Sequence, residues 1–125
     1  IQYTYARIRS LLRKAGGGSE DRKIGRSENG NAAVAMLLPE ERAVIKHLYQ
    51  LPAVLHDAAS RLDPSTLANH TYELVKAYNT FYQTIPVMKE ADAGKRDLRL
   101  ALSAAVAQAV RKAMWCLGIQ VPERM

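Results

Sequence analysis

The sequence has one cysteine, one phenylalanine, one tryptophan and no apolar run that approaches the length of a membrane span. A single cysteine, Cys116, excludes an internal disulfide bond, which suits a reducing compartment, and its apolar neighbours predict a small core residue. A helix that crosses a bilayer needs about 20 apolar residues, so no membrane partner is expected. The chain also has no signal-peptide pattern.

Catalytic and metal-binding patterns are missing as well. His47, His56 and His70 do not have the i, i+4 spacing of helical zinc ligands. The glycine run at 16–18 lacks the strand and the lysine of a phosphate-binding loop. We therefore predict no catalytic residue and no metal site, and the pattern is typical of a binding module.

Positive charge is in excess. The formal net charge is +6 and the isoelectric point is about 9.7. Such a balance favours a polyanionic partner such as RNA, DNA or anionic lipid. The alternative is that the charge serves only solubility, as in many mildly basic domains.

Helical periodicity dominates the chain and predicts an all-α bundle of five or six helices in a single domain, 1–125. The charged, glycine-containing stretch 16–31 cannot pack in a core and is predicted to be a mobile loop. Predicted helices begin at Ile1, near Asn31, at Pro39, at Pro52, after the N-cap Asp63 and near Arg96, and the last ends at Gly118.

Two aromatic groups lie on helical faces of interest. In the first helix, Ile1, Tyr5, Ile8 and Leu12 form the core stripe, so Tyr3 and Arg7 are neighbours on the outward face. A ring beside a guanidinium is used to recognise single-stranded RNA, but it is also typical of an exposed cation–π pair. Both interpretations stay open on spacing alone.

The stretch "AYNTFYQT", 77–84, contains three of the eight aromatic residues. Periodicity predicts that Tyr78 and Phe81 lie in the core and that Tyr82 lies at its boundary, half packed and half presented. Trp115 falls off the apolar stripe of the last helix. It covers either a second contact or a neighbouring domain, and the sequence does not decide between them.

Three segments in order resemble a known family. "QYTYARIRSLLRKA" at 2–15 resembles the helix that opens the C-terminal domain of arginyl-tRNA synthetases, "ELVKAYNTFYQTIPV" at 73–87 resembles a later helix, and "LRLALSAAVAQAVRKAMWCLGIQVPERM" at 98–125 resembles the closing signature. That C-terminal domain of the family is an all-α anticodon-binding module named for a "DALR" motif. The matching stretch here, "RDLRLAL" at 96–102, departs from that motif.

The resemblance implies a C-terminal fragment of a longer class I synthetase, which the start at Ile1 also suggests. The parent enzyme would join L-arginine to its tRNA using ATP with magnesium in a catalytic domain. That domain is absent here, so the fragment holds no cofactor and should be inactive alone. The implied partners are arginine tRNA and the enzyme's own catalytic domain. The resemblance further implies a monomer in the cytoplasm.

The resemblance also implies a binding site. Tyr3 and Arg7 match residues that face the anticodon loop, and Tyr78, Tyr82 and Met125 match a pocket around an unstacked base. Phosphate contacts are predicted from the basic side chains Arg9, Arg13, Lys14 and Arg124. Tyr5 stands where the family often has histidine. The alternative function is a basic helical protein–protein interaction or docking domain without RNA specificity.

Overall fold

The computed structural model describes residues 1–16 and 37–125, which form four helices. These are α1 (Gln2–Lys14), α2 (Pro39–Arg61), α3 (Pro64–Thr84) and α4 (Ala93–Cys116). No strand occurs in these two ranges, so the all-α prediction is confirmed for the described part of the chain. Residues 17–31 of the loop predicted at 16–31, and the helix predicted near Asn31, lie outside the described residues.

The predicted count of five or six helices is not supported. The break predicted at Pro52 is wrong, because α2 continues through this residue. An interior proline costs about 3 kcal/mol or more through the lost backbone hydrogen bond. Here its ring faces solvent, while Leu48 and Leu51 pack against the core beside it. Packing of α2 along α3 thus offsets the local cost.

The apolar stripes predicted from periodicity form the core. On α1, Tyr5 and Ile8 are buried, and on α3 the predicted core residues Tyr78 and Phe81 are buried together with Leu67, Thr71 and Leu74. Both helices pack on α4, which contributes Val106 and Val110. No helix in the described ranges is long and apolar enough to span a membrane. Cys116 is exposed, contrary to the prediction, because it lies in the last turn of α4 at the end of the core.

Side chains and one glycine set the helix ends. Asp63 accepts a hydrogen bond from the Ser65 backbone N–H at 3.0 Å, as its predicted N-cap role requires. Asp92 caps α4, which therefore begins three residues before the predicted start at Arg96. At the other end, Gly118 has a φ of 77°, and the N–H of Ile119 donates to the Met114 carbonyl at 2.9 Å. This Schellman-type turn directs the C-terminal tail, 119–125, back along α1.

A buried ion network fixes the start of α4. The Nε atom of Arg99 lies 2.9 Å from Glu41 of α2, and its Nη1 atom lies 2.7 Å from Glu90 and 3.1 Å from the Pro86 carbonyl oxygen. Burial alone would lower the pKa of Arg99, but the hydrogen bonds to the two glutamates outweigh it and raise that pKa. Arg99 is therefore a structural residue that joins α4 to α2 and to the segment 85–92, which connects α3 to α4.

Candidate nucleic-acid interface

Tyr3, Arg7 and Tyr82 form one cluster at the surface between α1 and α3. The guanidinium carbon of Arg7 lies 4.8 Å from the centroid of the Tyr3 ring and 5.2 Å from that of Tyr82. One Nη atom of Arg7 also donates to the Tyr3 hydroxyl at 3.3 Å. Tyr3 is 59 % exposed, whereas Arg7 and Tyr82 are half-buried. A cation held between two rings presents both stacking surface and hydrogen-bond donors.

The cluster is held in register by contacts beneath it. The Thr4 hydroxyl, which is buried, lies 3.2 Å from Asn79 Oδ1 and joins α1 to α3 one turn before Arg7 and Tyr82. Neither residue was singled out in the sequence, because the pairing joins positions 75 apart. Arg7 and Tyr82 can meet only when this register places their turns side by side.

Tyr78 lies under the cluster rather than in it. Its ring is fully buried, and its centroid lies 6.3 Å from that of Tyr82. The hydroxyl donates to Ser103 Oγ at 3.0 Å, and Ser103 donates to the Arg99 carbonyl oxygen at 2.8 Å. Burial raises the pKa of Tyr78 to about 12, although the bond to Ser103 acts in the opposite direction. In this conformation Tyr78 supports Tyr82 and offers no surface to a ligand.

The side chains that are predicted to contact phosphate groups give α1 a basic surface. The helix carries four basic side chains and no acidic one: Arg7, Arg9, Arg13 and Lys14. Two of them bind the C-terminal tail, because Arg9 lies 3.3 Å from the Glu123 carboxylate and Arg13 donates to the Glu123 carbonyl oxygen at 3.4 Å. Lys14 and Arg124 are exposed. Glu123 was not identified from the sequence as their partner, although it is the one acidic residue of the tail.

Met125 is an exposed residue of the C-terminal tail. It is 76 % exposed and follows Glu123 by two residues. At about 100° per residue, Arg9 lies about 160° around α1 from Arg7, so the contacts of Glu123 and those of Tyr82 lie on opposite flanks of this helix. The pocket of Tyr78, Tyr82 and Met125 stays a prediction.

Comparison with known proteins identifies the family. The family model described as "DALR anticodon binding domain" matches residues 1–125. The chain belongs to this family. The arginine–tRNA ligase of Flavobacterium psychrophilum is 42 % identical over 128 residues, which cover all of this chain and 19 % of that protein. The corresponding ligase of Phocaeicola vulgatus is 43 % identical over 125 residues and 20 % of its length.

A solved structure agrees with this DALR domain in fold. The arginyl-tRNA synthetase of Thermus thermophilus superposes with a TM-score of 0.80 at 30 % identity, covering 99 % of this chain and 20 % of that one. The chain thus spans about a fifth of the length of the relatives it matches. Arg99, in the stretch 96–102 that resembles the DALR motif, is buried and ion-paired. Among the described residues, no group of three or more acidic, histidine or cysteine side chains could hold a metal ion.

Proposed function

We propose that this domain binds the anticodon loop of arginine tRNA and that Tyr3, Arg7 and Tyr82 form the contact surface. The observation that carries the proposal is the guanidinium of Arg7 between two tyrosine rings. Membership of an anticodon-binding family supports RNA as the ligand. The interpretation of the Tyr3–Arg7 pair as a solvated cation–π contact accounts less well for a second ring, that of Tyr82, contributed by a separate helix.

The chemistry follows from the geometry of the cluster. Bases that unstack from the loop would pack against the exposed faces of Tyr3 and Tyr82, and each stacked base contributes about 1–3 kcal/mol. Arg7 would donate hydrogen bonds to a base edge or a phosphate. Because the two rings and the Tyr3 hydroxyl already orient its guanidinium, little side-chain entropy remains to be lost on binding. Tyr78 would act from below, by keeping Tyr82 in place.

Phosphate contacts would come from the outward face of α1 and from the tail. Lys14 and Arg124 are exposed, whereas Arg9 and Arg13 hold Glu123. A phosphate group that reached Arg13 would compete with the Glu123 carbonyl oxygen. Met125 would join Tyr78 and Tyr82 around an unstacked base.

For the parent protein we propose the activity that its relatives' names describe. The matched relatives are arginine–tRNA ligases about five times as long as this chain. The parent would attach L-arginine to its tRNA with ATP and magnesium, both bound in a catalytic domain that this sequence does not contain. The domain would then act as a recognition module, inactive alone, beside that catalytic domain in a monomeric cytoplasmic enzyme. The alternative of a docking domain without RNA specificity is not favoured by the family match.

Fluorescence anisotropy of an arginine-tRNA anticodon stem-loop, with and without a changed anticodon, tests the proposal. The domain should prefer the true loop across a salt series. Tyr82→Ala should weaken that binding by about 5- to 150-fold, the range for one lost stacking contact. Tyr72→Ala is the matched control, since Tyr72 is an exposed tyrosine of α3 outside the cluster. Equal affinity for both loops, or equal losses in both variants, would refute the site.

A further inference from the structure

A second concave site lies on the opposite flank of α1 from the tyrosine cluster. It is a cavity of about 330 Å³ between α1, the end of α4 and the tail. Ligand sites commonly occupy about 300–1,000 Å³, so a nucleotide-sized group is within range. The lining residues are Tyr5, Arg111, Trp115, Ile119, Gln120, Val121 and Glu123.

Trp115 gives this cavity its chemical character. The side chain is 76 % exposed, although tryptophan is on average among the more buried residue types. Its backbone is fixed in the turn that ends α4, where the Trp115 carbonyl oxygen accepts a hydrogen bond from the Gly118 N–H at 2.9 Å. A large ring presented at the mouth of a cavity on a rigid helix end is a stacking platform.

The charge around the cavity is positive. Arg111 lies one turn before Trp115 on α4, and Arg9 and Arg13 bind the tail at the rim. Glu123 is the one acidic residue among those that line the cavity, whereas Arg111 in the lining and Arg9 and Arg13 at the rim are basic. This charge favours a polyanion over a hydrophobic protein segment as the occupant.

We propose that the cavity at Trp115 is a second nucleotide subsite, in which a nucleobase of single-stranded RNA stacks on Trp115 and Arg111 neutralises its phosphate. The inference rests on the proposed function and extends it from one flank of α1 to both. The outward face between the flanks carries Arg13 and Lys14, both exposed, so an RNA strand that crosses α1 meets basic side chains throughout. A protein partner is the competing occupant.

With excitation selective for tryptophan, which leaves out the six tyrosines, the fluorescence of the domain reports on this cavity alone, because Trp115 is the only tryptophan in the chain. Titration with the anticodon stem-loop, and with a mixed-sequence single-stranded RNA, should quench the Trp115 emission and protect it from acrylamide. Anisotropy of the labelled RNA in the same samples measures total binding independently. Total binding therefore tests the proposed function, and the emission tests the subsite.

Two variants separate stacking from folding. Trp115→Ala should weaken RNA binding about 5- to 150-fold, whereas Trp115→Phe, which keeps a ring, should lose clearly less. Tyr49→Ala removes an equally exposed ring from α2, away from the cavity, and should leave the affinity unchanged. Circular dichroism and the melting temperature should be the same for all three variants, because both rings are exposed.

Three outcomes would overturn the subsite. RNA binding with unchanged Trp115 emission would leave the proposed function intact and remove the subsite. The same conclusion follows if Trp115→Ala binds RNA as tightly as the unmodified domain, and the exposed ring would then indicate a protein-docking surface. If neither RNA changes anisotropy or emission, both the proposed function and the subsite fail.

Discussion

Replacement of Arg99 by methionine should destabilise the domain severely. The substitution removes three hydrogen bonds, to Glu41, Glu90 and the Pro86 carbonyl oxygen, and keeps much of the side-chain volume. It leaves the Glu41 carboxylate buried without its cation, with one remaining hydrogen bond from the Leu38 N–H. Breaking a buried pair in this way costs about 3–5 kcal/mol. Glu90 adds less, because it is more exposed than Glu41.

This cost of about 3–5 kcal/mol is large compared with the total free energy of unfolding of such a domain, about 5–15 kcal/mol. At roughly 4 °C per kcal/mol for this chain length, the melting temperature should fall by roughly 12–20 °C. Urea denaturation at pH 7 and thermal melting followed by circular dichroism would measure both quantities. Lys76→Met, which removes an exposed cation from α3, is the control and should shift stability by less than about 0.5 kcal/mol.

A second substitution tests the cause. Glu41→Gln in the Arg99→Met background removes the stranded charge, so the double variant should be more stable than Arg99→Met alone. The coupling between the two sites should reach about 0.5–3 kcal/mol. If Arg99→Met costs less than about 1 kcal/mol, or if the two substitutions are additive, the buried ion network does not stabilise the start of α4 as argued here.

Three further predictions concern stability. Tyr78→Phe should cost about 1 kcal/mol at pH 7 through the lost bond to Ser103. The pKa of Tyr78 is raised to about 12 in the folded domain, so the unmodified domain should also lose stability as the pH rises from about 10 to 12. Denaturant melts of Tyr78→Phe should not show this loss. Burial, and then the charge of His70, lower the pKa of His47 in the folded domain. The free energy of unfolding should therefore decrease as the pH drops below about 6.5. His47→Gln should reduce this pH dependence, and His56→Gln should not. Leu62→Gly should stabilise the domain by about 0.5–1 kcal/mol, because this exposed residue has a left-handed φ of 54°, and unchanged urea midpoints would contradict it.

Local patterns predicted most of the described helices. The periodic stripes of α1 and α3 were correct because a helical face repeats every three to four residues and can be read from neighbouring positions. The Asp63 cap and the Gly118 turn were predictable for the same reason. Pro52 was misread, since the energy that keeps it helical comes from packing along the whole of α2 and α3.

The candidate site was predictable only in part. Spacing placed Tyr3 beside Arg7 and Tyr82 at the core boundary, but it contained no signal that Arg7 would contact Tyr82. The family resemblance grouped Tyr78 and Met125 with them. The structure confirms the periodicity prediction that Tyr78 lies in the core, and it places Glu123 of the tail against Arg9. Their predicted contacts with tRNA stay predictions.

The sequence by itself indicated the family, through three segments that resemble it, and it determined the helical class and most core positions of α1 and α3, because a helical face repeats within a few positions along the chain. Only the tertiary structure decided which exposed side chains meet. The cation between Tyr3 and Tyr82, the burial of Arg99 against Glu41 and the exposure of Trp115 beside the tail all depend on the packing of helices distant in sequence. Such contacts carry no local periodic signal, since the register between two helices is set by the whole core.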